Sequence, residues 1–531
     1  MTFLPLQGEE KLYPISTFHL EYTEDHPQHP PLETFHIPNP PSPLSSQDIL
    51  HLIQNLVRDF NERGYAGIYV QVDPKQINDK GKDLRPKSKA SLRLLISNTL
   101  VKEISTTALG ERFKNSQLPP QNRREHLALL KASPIQSNPQ ENLINKSLLD
   151  NYLLYINRYP GRRVDAQLKG RRENDGVNLD LLITEEKPKK FYFHAANTGT
   201  KSTRKWIETL GFQHNHLSGR DDILSLEFVT ASLKNFHSLR GSYNFPLNYQ
   251  RRFYTRIDTS WSYFTASQFG LADDSFVGYQ QIYSLQGKAN LYQDKDLFVD
   301  IALKGQWRHI SVNNEFAKIK GKENLVIPIF EISIEQKCKT STLHLNFTAE
   351  SNLSGIADTD KSELNRMGRS TNDQNWFIYK INSLYTLFLD KALTHEFSLN
   401  MNGQYARKSR LIPHLQFVIG GLNSVRGYPQ SVAAGDHGAY IQGEYRHYNF
   451  FPKENIKTQA RIFIDGGRTI ANDRLSFENN STLWSCGMGG NLIFKNHFKL
   501  SADWGITLHK LQNNTPHKGS QSFIMSALAL Y

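Results

Sequence analysis

The chain has 531 residues, enough for more than one domain, with 38% hydrophobic residues, 11% aromatic residues and a mean hydropathy of -0.53. No apolar run approaches the roughly 18 residues that a membrane-spanning helix needs. That excludes a helical membrane protein but not a β-barrel, whose alternating strands average out as hydrophilic. The net charge of +12 invites a nucleic-acid partner, yet the basic residues are scattered, with no zinc spacing, basic-region heptads or helix-turn-helix pattern. We therefore expect no nucleic acid, and assign the charge to solvated loops and a cationic lumen. Cys338 and Cys486 lie far apart in strand-like runs and form no zinc, redox or disulfide spacing.

The N-terminus, Met1-Thr-Phe-Leu-Pro-Leu-Gln-Gly, lacks a basic n-region, an apolar core and a small-residue cleavage site. Taken literally this argues against export, although a start placed too far downstream would read the same way. Strand-like sequence is expected from Thr17 to Ile37, followed by the irregular connection Pro38-Asn-Pro-Pro-Ser-Pro43. Ser45-Ser-Gln-Asp48 caps a helix with Ile49, Leu52, Ile53, Leu56, Val57 and Phe60 on one face, and Gly64 ends it. Strands at Tyr69–Val72, Ser91–Ile96 and Leu100–Ile104 complete a small α+β unit. A second unit repeats the plan. Its helix, around Ser147–Asn157, has Leu148, Leu149, Tyr152, Leu153 and Ile156 on its apolar face, and Arg163–Leu168 pairs with Val177–Ile183. Exposed edges of such modules are templates for an extended partner chain.

After Pro188 helical periodicity gives way to strand-like runs separated by polar turns. Runs near Phe191, Lys205, Ile223, Phe236, Phe253, Gln280, Leu297, Val326, Leu343, Trp376, Phe397, Tyr440, Gln459, Trp484, Phe498 and Phe523 number about sixteen, each long enough to cross a bilayer. In Ala460-Arg-Ile-Phe-Ile-Asp465, Ala460, Ile462 and Ile464 share one face and Arg461, Phe463 and Asp465 the other. Gln442, Glu444 and Arg446 likewise oppose Ile441 and Tyr445, and Lys499, Ser501 and Asp503 oppose Phe498, Leu500, Ala502 and Trp504. A charged face against an aromatic-ended apolar face fits a barrel with a wet lumen better than a soluble sandwich.

One loop stands apart: Gly420-Gly-Leu-Asn-Ser-Val-Arg-Gly-Tyr428, followed by Ala434-Gly-Asp-His-Gly438. It presents a single arginine, Arg426, on a glycine-shaped turn. His214-Asn-His216 puts two histidines on one face, but their hairpin position and the lack of a third ligand favour turn residues over a metal. No phosphate-binding loop, His-Glu-x-x-His or Gly-x-Ser-x-Gly elbow is present, and Gly287-Lys288 lacks a glycine framework. We expect no enzyme, cofactor or metal.

Taken in order, these features resemble the two-partner secretion transporters, the haemolysin secretion/activation (ShlB/FhaC/HecB) family of the BamA-like outer-membrane superfamily, over residues 15–531. Arg63-Gly-Tyr65 with Asp73-Pro-Lys-Gln76 is similar to the family's first POTRA module, and Leu154–Gly161 with Val164-Asp-Ala166 to its second. Gly211–Asp221 is similar to an early barrel hairpin and Tyr243-Asn-Phe-Pro-Leu247 to a strand-ending turn. Val425-Arg426-Gly427-Tyr428 resembles the tip of the lumen loop, and Phe463-x-Asp465-x-Gly467 the lumen-wall motif. The resemblance implies an N-terminal extension (1–14), POTRA domains (15–106 and 107–188) and a sixteen-stranded antiparallel transmembrane β-barrel (189–531), with loop 412–438 folded into the lumen. It further implies that Arg426 pairs with Asp465, Glu444 being a second member of the network. The expected role is an outer-membrane translocator, a single barrel in outer-membrane lipid with POTRA domains in the periplasm, exporting an unfolded β-rich exoprotein. The alternatives are a BamA-like assembly factor and a passive porin-like channel. About 15 residues precede the first module, and Pro5 and Pro14 interrupt them, which argues against the family's plug helix unless the N-terminus is truncated.

Overall fold

The computed structural model describes residues 12–35, 42–78, 81–86, 90–113, 123–170, 176–200, 203–247, 252–269, 274–315, 317–357, 359–450, 454–511 and 516–531. Most of the N-terminal extension, the Pro-rich connection and part of the charged Asn78–Lys89 loop lie outside the described residues. The chain divides into two compact units, Met1–Glu186 and Lys187–Tyr531.

The first unit begins with β1 (Leu12–Tyr13), β2 (Thr17–Tyr22), β3 (Leu44–Ser45), α1 (Ser46–Glu62), β4 (Ile68–Val72) and β5 (Ser91–Asn98), with a sheet in the order β2-β5-β4. Ser45 caps α1 in a reciprocal box: the Asp48 amide donates to Ser45 Oγ at 3.2 Å, and the Ser45 amide to Asp48 Oδ2 at 2.9 Å. Ile49, Leu56 and Phe60 then bury against Leu92, Leu94 and Ile96 of β5. Gly64, at φ 94°, ends the helix. The strand expected from Thr17 to Ile37 is corrected: β2 stops at Tyr22, before Pro27, Pro30 and Pro31, which cannot donate to a ladder.

Next come β6 (Val101–Leu109), α2 (Arg124–Ala132), α3 (Lys146–Ile156), β7 (Arg162–Gly170) and β8 (Val177–Glu185), with a sheet in the order β6-β8-β7. Two corrections arise. The strand expected to complete the first module is β6, and it pairs in parallel with β8 of the second sheet; apolar pattern alone does not say which sheet a strand joins. Leu148, assigned to the apolar face of α3, is 47% exposed, because it lies in the first turn beside the cap made by Asn145.

The second unit comprises β9 (Lys189–Ala196), β10 (Ile207–Asn215), β11 (Ile223–Thr230), β12 (Phe236–Pro246), β13 (Phe253–Phe269), β14 (Asp274–Asp294), β15 (Leu297–Asn314), β16 (Ile319–Lys337), β17 (Ser341–Ser351), α4 (Lys361–Asn365), β18 (Phe377–Phe388), β19 (His395–Ala406), β20 (Phe417–Ile419), β21 (Ala433–Gly435), β22 (His437–Tyr448), β23 (Ile456–Ile470), β24 (Ser481–Phe494), β25 (Phe498–Thr507) and β26 (Gln521–Leu530). All but β20 and β21, which pair with each other, form one closed antiparallel barrel of sixteen strands. Every strand-like run anticipated from the sequence coincides with one of them. Closure is made by Ser526–Leu530 against Tyr192–Ala196. Leu210, Leu226, Leu239, Ile257, Leu285 and Leu303 are exposed on the outer face, the apolar band that a lipid bilayer covers. No described helix is long and apolar enough to cross a membrane.

The barrel is uneven. β14 has 21 residues and β9 only 8, and Ile319–Pro328 of β16 extend past the end of β17. This tall wall rises at the end opposite the start of β9, here called the far end. Inside it, Leu364, Met367, Trp376, Leu411, Ile412 and Leu415 from two loops pack on Ile310, Val312, Leu325 and Ile327. The wet lumen expected from strand alternation gives way to this cluster at the far end: Leu325-Val-Ile-Pro-Ile329 is apolar on both faces because its inner one packs on the loops.

Candidate functional site: a loop latched to the barrel wall

Residues 407–436 join β19 to β22 at the far end, and the β20–β21 hairpin turns the loop inward. Gly420 (φ 113°) and Gly421 (φ 87°) occupy left-handed conformations that a side chain resists. The Gly420 amide donates to Ser424 Oγ at 2.7 Å and the Gly421 amide to the Val425 carbonyl at 3.1 Å, closing the tip.

Arg426 and Asp465, expected to meet, form a fork. Arg426 Nη2 donates to Asp465 Oδ1 at 2.7 Å, while its Nε and its backbone amide donate to Oδ2 at 2.8 and 3.0 Å. Arg426 is 2% exposed and Asp465 is fully buried. The guanidinium carbon lies 3.6 Å above the Phe463 ring, so all three residues of the wall motif act at the tip: Phe463 stacks, Asp465 pairs and Gly467 clears space. A Cβ on Gly467 would stand 3.2 Å from Val425 Cγ2. Arg426 Nη1 also donates to Glu444. Glu444 pairs in turn with Arg446 at 2.6 Å, and Arg446 with Glu396 at 2.6 Å.

Gly427 has another reason to be glycine. A Cβ there would lie 2.6 Å from Ser485 Cβ and 3.0 Å from the Ile506 backbone, and its carbonyl accepts from Thr507 Oγ1 at 2.8 Å. Tyr428, 1% exposed, donates its hydroxyl to the carbonyl of His509 and accepts from the Trp484 amide at 3.2 Å. The tip thus spans β22 to β25. Sequence reasoning missed Tyr428 as the contact to β24, as well as Glu396 and Arg446; the shared face of Gln442, Glu444 and Arg446 was the available signal.

Several other lumen charges are paired. Arg461 forks onto Asp503 with both bonds at 2.6 Å, Lys304 meets Asp258 at 3.3 Å, and Lys288 meets Asp300 at 2.9 Å. At these positions carboxylates offset the cationic lumen expected from the sequence. Across from the latch, the β9–β14 wall lines a cavity of about 700 Å³ with Ser225, Ser238, Ser260 and Ser262 beside Glu227 and Arg240. His214 and His216 do not assemble a site: His216 sits at φ 63° in the β10–β11 turn, 3.3 Å from Asp221. No cluster of metal-ligating side chains occurs among the described residues.

A closed sixteen-stranded barrel with an apolar outside, paired charges inside and two small α+β modules of POTRA type ahead of it has the architecture of an outer-membrane transporter of the BamA-like kind. The chain belongs to the haemolysin secretion/activation protein family (ShlB/FhaC/HecB), whose profile matches residues 175–492, more than half of its length. Among curated relatives, the heme/hemopexin transporter protein HuxB of Haemophilus influenzae (strain 86-028NP) is 22% identical over 73% of this chain and 68% of its own. The hemolysin transporter protein ShlB of Serratia marcescens is 23% identical over 75% and 66%. Among solved structures, CdiB from Escherichia coli superposes with a TM-score of 0.72 at 14% identity, covering 99% of this chain and 93% of that one. BamA from Haemophilus ducreyi lacking POTRA domains 1–3 reaches 0.51 at 11% identity, with 98% and 100% covered. The family is one of two-partner secretion transporters, and this chain is such a transporter.

Proposed function

We propose that this protein binds an unfolded, β-rich exoprotein through its POTRA modules and exports it through the barrel lumen. The modules would lie in the periplasm and the far end of the barrel outside the cell. The observation that carries this reading is the loop tip fixed on the inner wall by Arg426 and Asp465. A lumen obstacle held by a few directional bonds suits a passage that must be closed at rest and cleared on demand. Sheet order supports the capture step, since β2 and β4 flank the first sheet and β6 and β7 the second, leaving edges to which an extended chain can add. No nucleotide-binding loop is present in the sequence, so the driving force comes from outside this chain.

A second reading, assembly of other outer-membrane proteins, is favoured by the short closing seam between β9 and β26. Co-expression with a candidate β-rich exoprotein separates the two. Export predicts exoprotein in the medium only when the barrel protein is present, with unrelated porins unaffected. Exoprotein retained in the periplasm while porin assembly changes would overturn export in favour of assembly.

A further inference from the structure

Arg426 draws its hydrogen bonds and ion pairs from Asp465 and Glu444, and none from the second half of the glycine-rich stretch, Ala434-Gly-Asp-His-Gly438, among the described residues. The aspartate of that second half anchors a different cluster. Asp436 is fully buried and receives Arg369 from the β17–β18 loop as a fork, Nη1 at 2.6 Å and Nη2 at 2.9 Å. It also accepts the Leu411 amide at 2.8 Å, from the other root of its own loop, and the Asn472 amide at 2.7 Å, from the β23–β24 loop. Glu478, on that same loop, takes Arg369 Nε at 2.8 Å and forks with Arg410 at 2.7 and 2.8 Å. Arg410 is 1% exposed. Arginine forks onto carboxylates at these lengths are the strong, directional kind of ion pair.

We infer that Arg369, Arg410, Asp436 and Glu478 form a second hold on the lumen loop, separate from the Arg426 latch, so that the passage clears only when the outer loops part as well. They are positioning residues for gating. The inference rests on the reading that the loop moves during transport. The two holds grip different parts of the loop: Arg426 and Tyr428 its tip, Asp436 and Arg410 its two roots. A tip released alone would remain tethered in the mouth, because each root is still tied to loops on either side. Opening therefore has two steps, and loosening either hold lowers the cost of only one of them.

The test uses the full chain in planar lipid bilayers, without exoprotein. Glu478→Gln keeps shape and removes charge, while Glu478→Asp keeps charge. We expect Glu478→Gln to raise the open fraction about ten- to a hundred-fold, Glu478→Asp to stay near wild type, and Glu478→Gln with Arg426→Ala to come near the product of the two single effects. Thiol labelling at Ser485→Cys, beneath the tip, should not change with Glu478→Gln. Asp436→Asn, scored the same way, replaces Glu478→Gln if that barrel loses its heat-modifiable band. An unchanged open fraction in folded barrels, a double variant no more open than Arg426→Ala, or labelling at Ser485→Cys that rises with Glu478→Gln each overturns a second hold. Because no exoprotein is added, a failure of secretion leaves this result standing, and the reverse.

Discussion

Replacing Asp465 by asparagine tests the latch with the least change of shape. Asp465 accepts three hydrogen bonds from Arg426, one on Oδ1 and two on Oδ2. An amide keeps a single oxygen: if it replaces Oδ2, its NH2 group faces the Nη2 donor and that bond becomes a clash of hydrogens. The guanidinium also loses its fully buried counter-charge. Removing one partner of a buried pair costs about 3–5 kcal/mol, but Glu444 remains on Nη1 and places the cost near the lower limit. About 3 kcal/mol is roughly a hundredfold in the ratio of detached to attached tip. The readout is Ser485→Cys, where the wall residue is fully buried under Gly427, in a background with Cys338 and Cys486 replaced. Labelling by a water-soluble thiol reagent then reports the detached fraction. With Asp465→Asn we expect the rate to rise about a hundredfold. A rate within threefold of the Asp465 background would refute the claim that this pair holds the tip.

Three further outcomes follow from the same geometry. Gly427→Val should lift the tip with both carboxylates intact, because its Cβ would come within 2.6 Å of Ser485 Cβ; overpacking of this kind costs about 1–3 kcal/mol, so labelling at position 485 should rise about tenfold or more. Glu478 gives a pH signature: burial alone would raise its carboxyl, but hydrogen bonds from Arg410 and Arg369 outweigh burial and hold it at about 2, below the ordinary 4.5. A depressed carboxyl contributes above its unfolded value and loses that contribution as pH falls through the folded one. The bilayer open fraction should therefore stay flat above pH 4.5 and rise on acidification towards about 2. That rise should be smaller in Glu478→Gln, and an equal rise would exclude Glu478 as its source. In the first module, Ser45→Ala removes a cap worth about 1 kcal/mol, so amide exchange in α1 of the intact protein should quicken about fivefold, with no change in the barrel strands.

The barrel was legible because its physics is periodic. A strand wetted on one face and lipid-covered on the other must alternate, so Asp465 and Phe463 point inward and Ile462 and Ile464 are more than half exposed outside. Parity is a local property that sequence carries directly. The far-end core was not legible, because Leu325-Val-Ile-Pro-Ile329 meets apolar surroundings on both faces, and its inner partners, Leu364, Leu411 and Ile412, lie far away in the chain. The same holds for β6, whose partner sheet is decided by β8 about seventy residues later. The Arg426–Asp465 pairing came from the resemblance to a family, with strand parity placing Asp465 on the charged face. Arg369, Arg410 and Glu478 carry no local pattern. Asp436 alone sat in a stretch that drew notice, and only the fold shows what it receives.

The contrast between ionic and apolar contacts along this loop bears on how it works. Its N-terminal root is buried by Leu411, Ile412 and Leu415 against the tall wall, and water does not relieve such burial. Its tip and its C-terminal root add ionic holds to apolar ones: Arg426 pairs with Asp465 beside a buried cluster of Val425, Tyr428 and Leu483, and Asp436 takes Arg369. A buried ion pair is close to neutral against the same charges hydrated apart, so admitting water to the lumen supplies the separated ions with the solvation they gave up on closing. An unfolded segment carrying water and polar backbone into the lumen is the kind of ligand that would shift that balance.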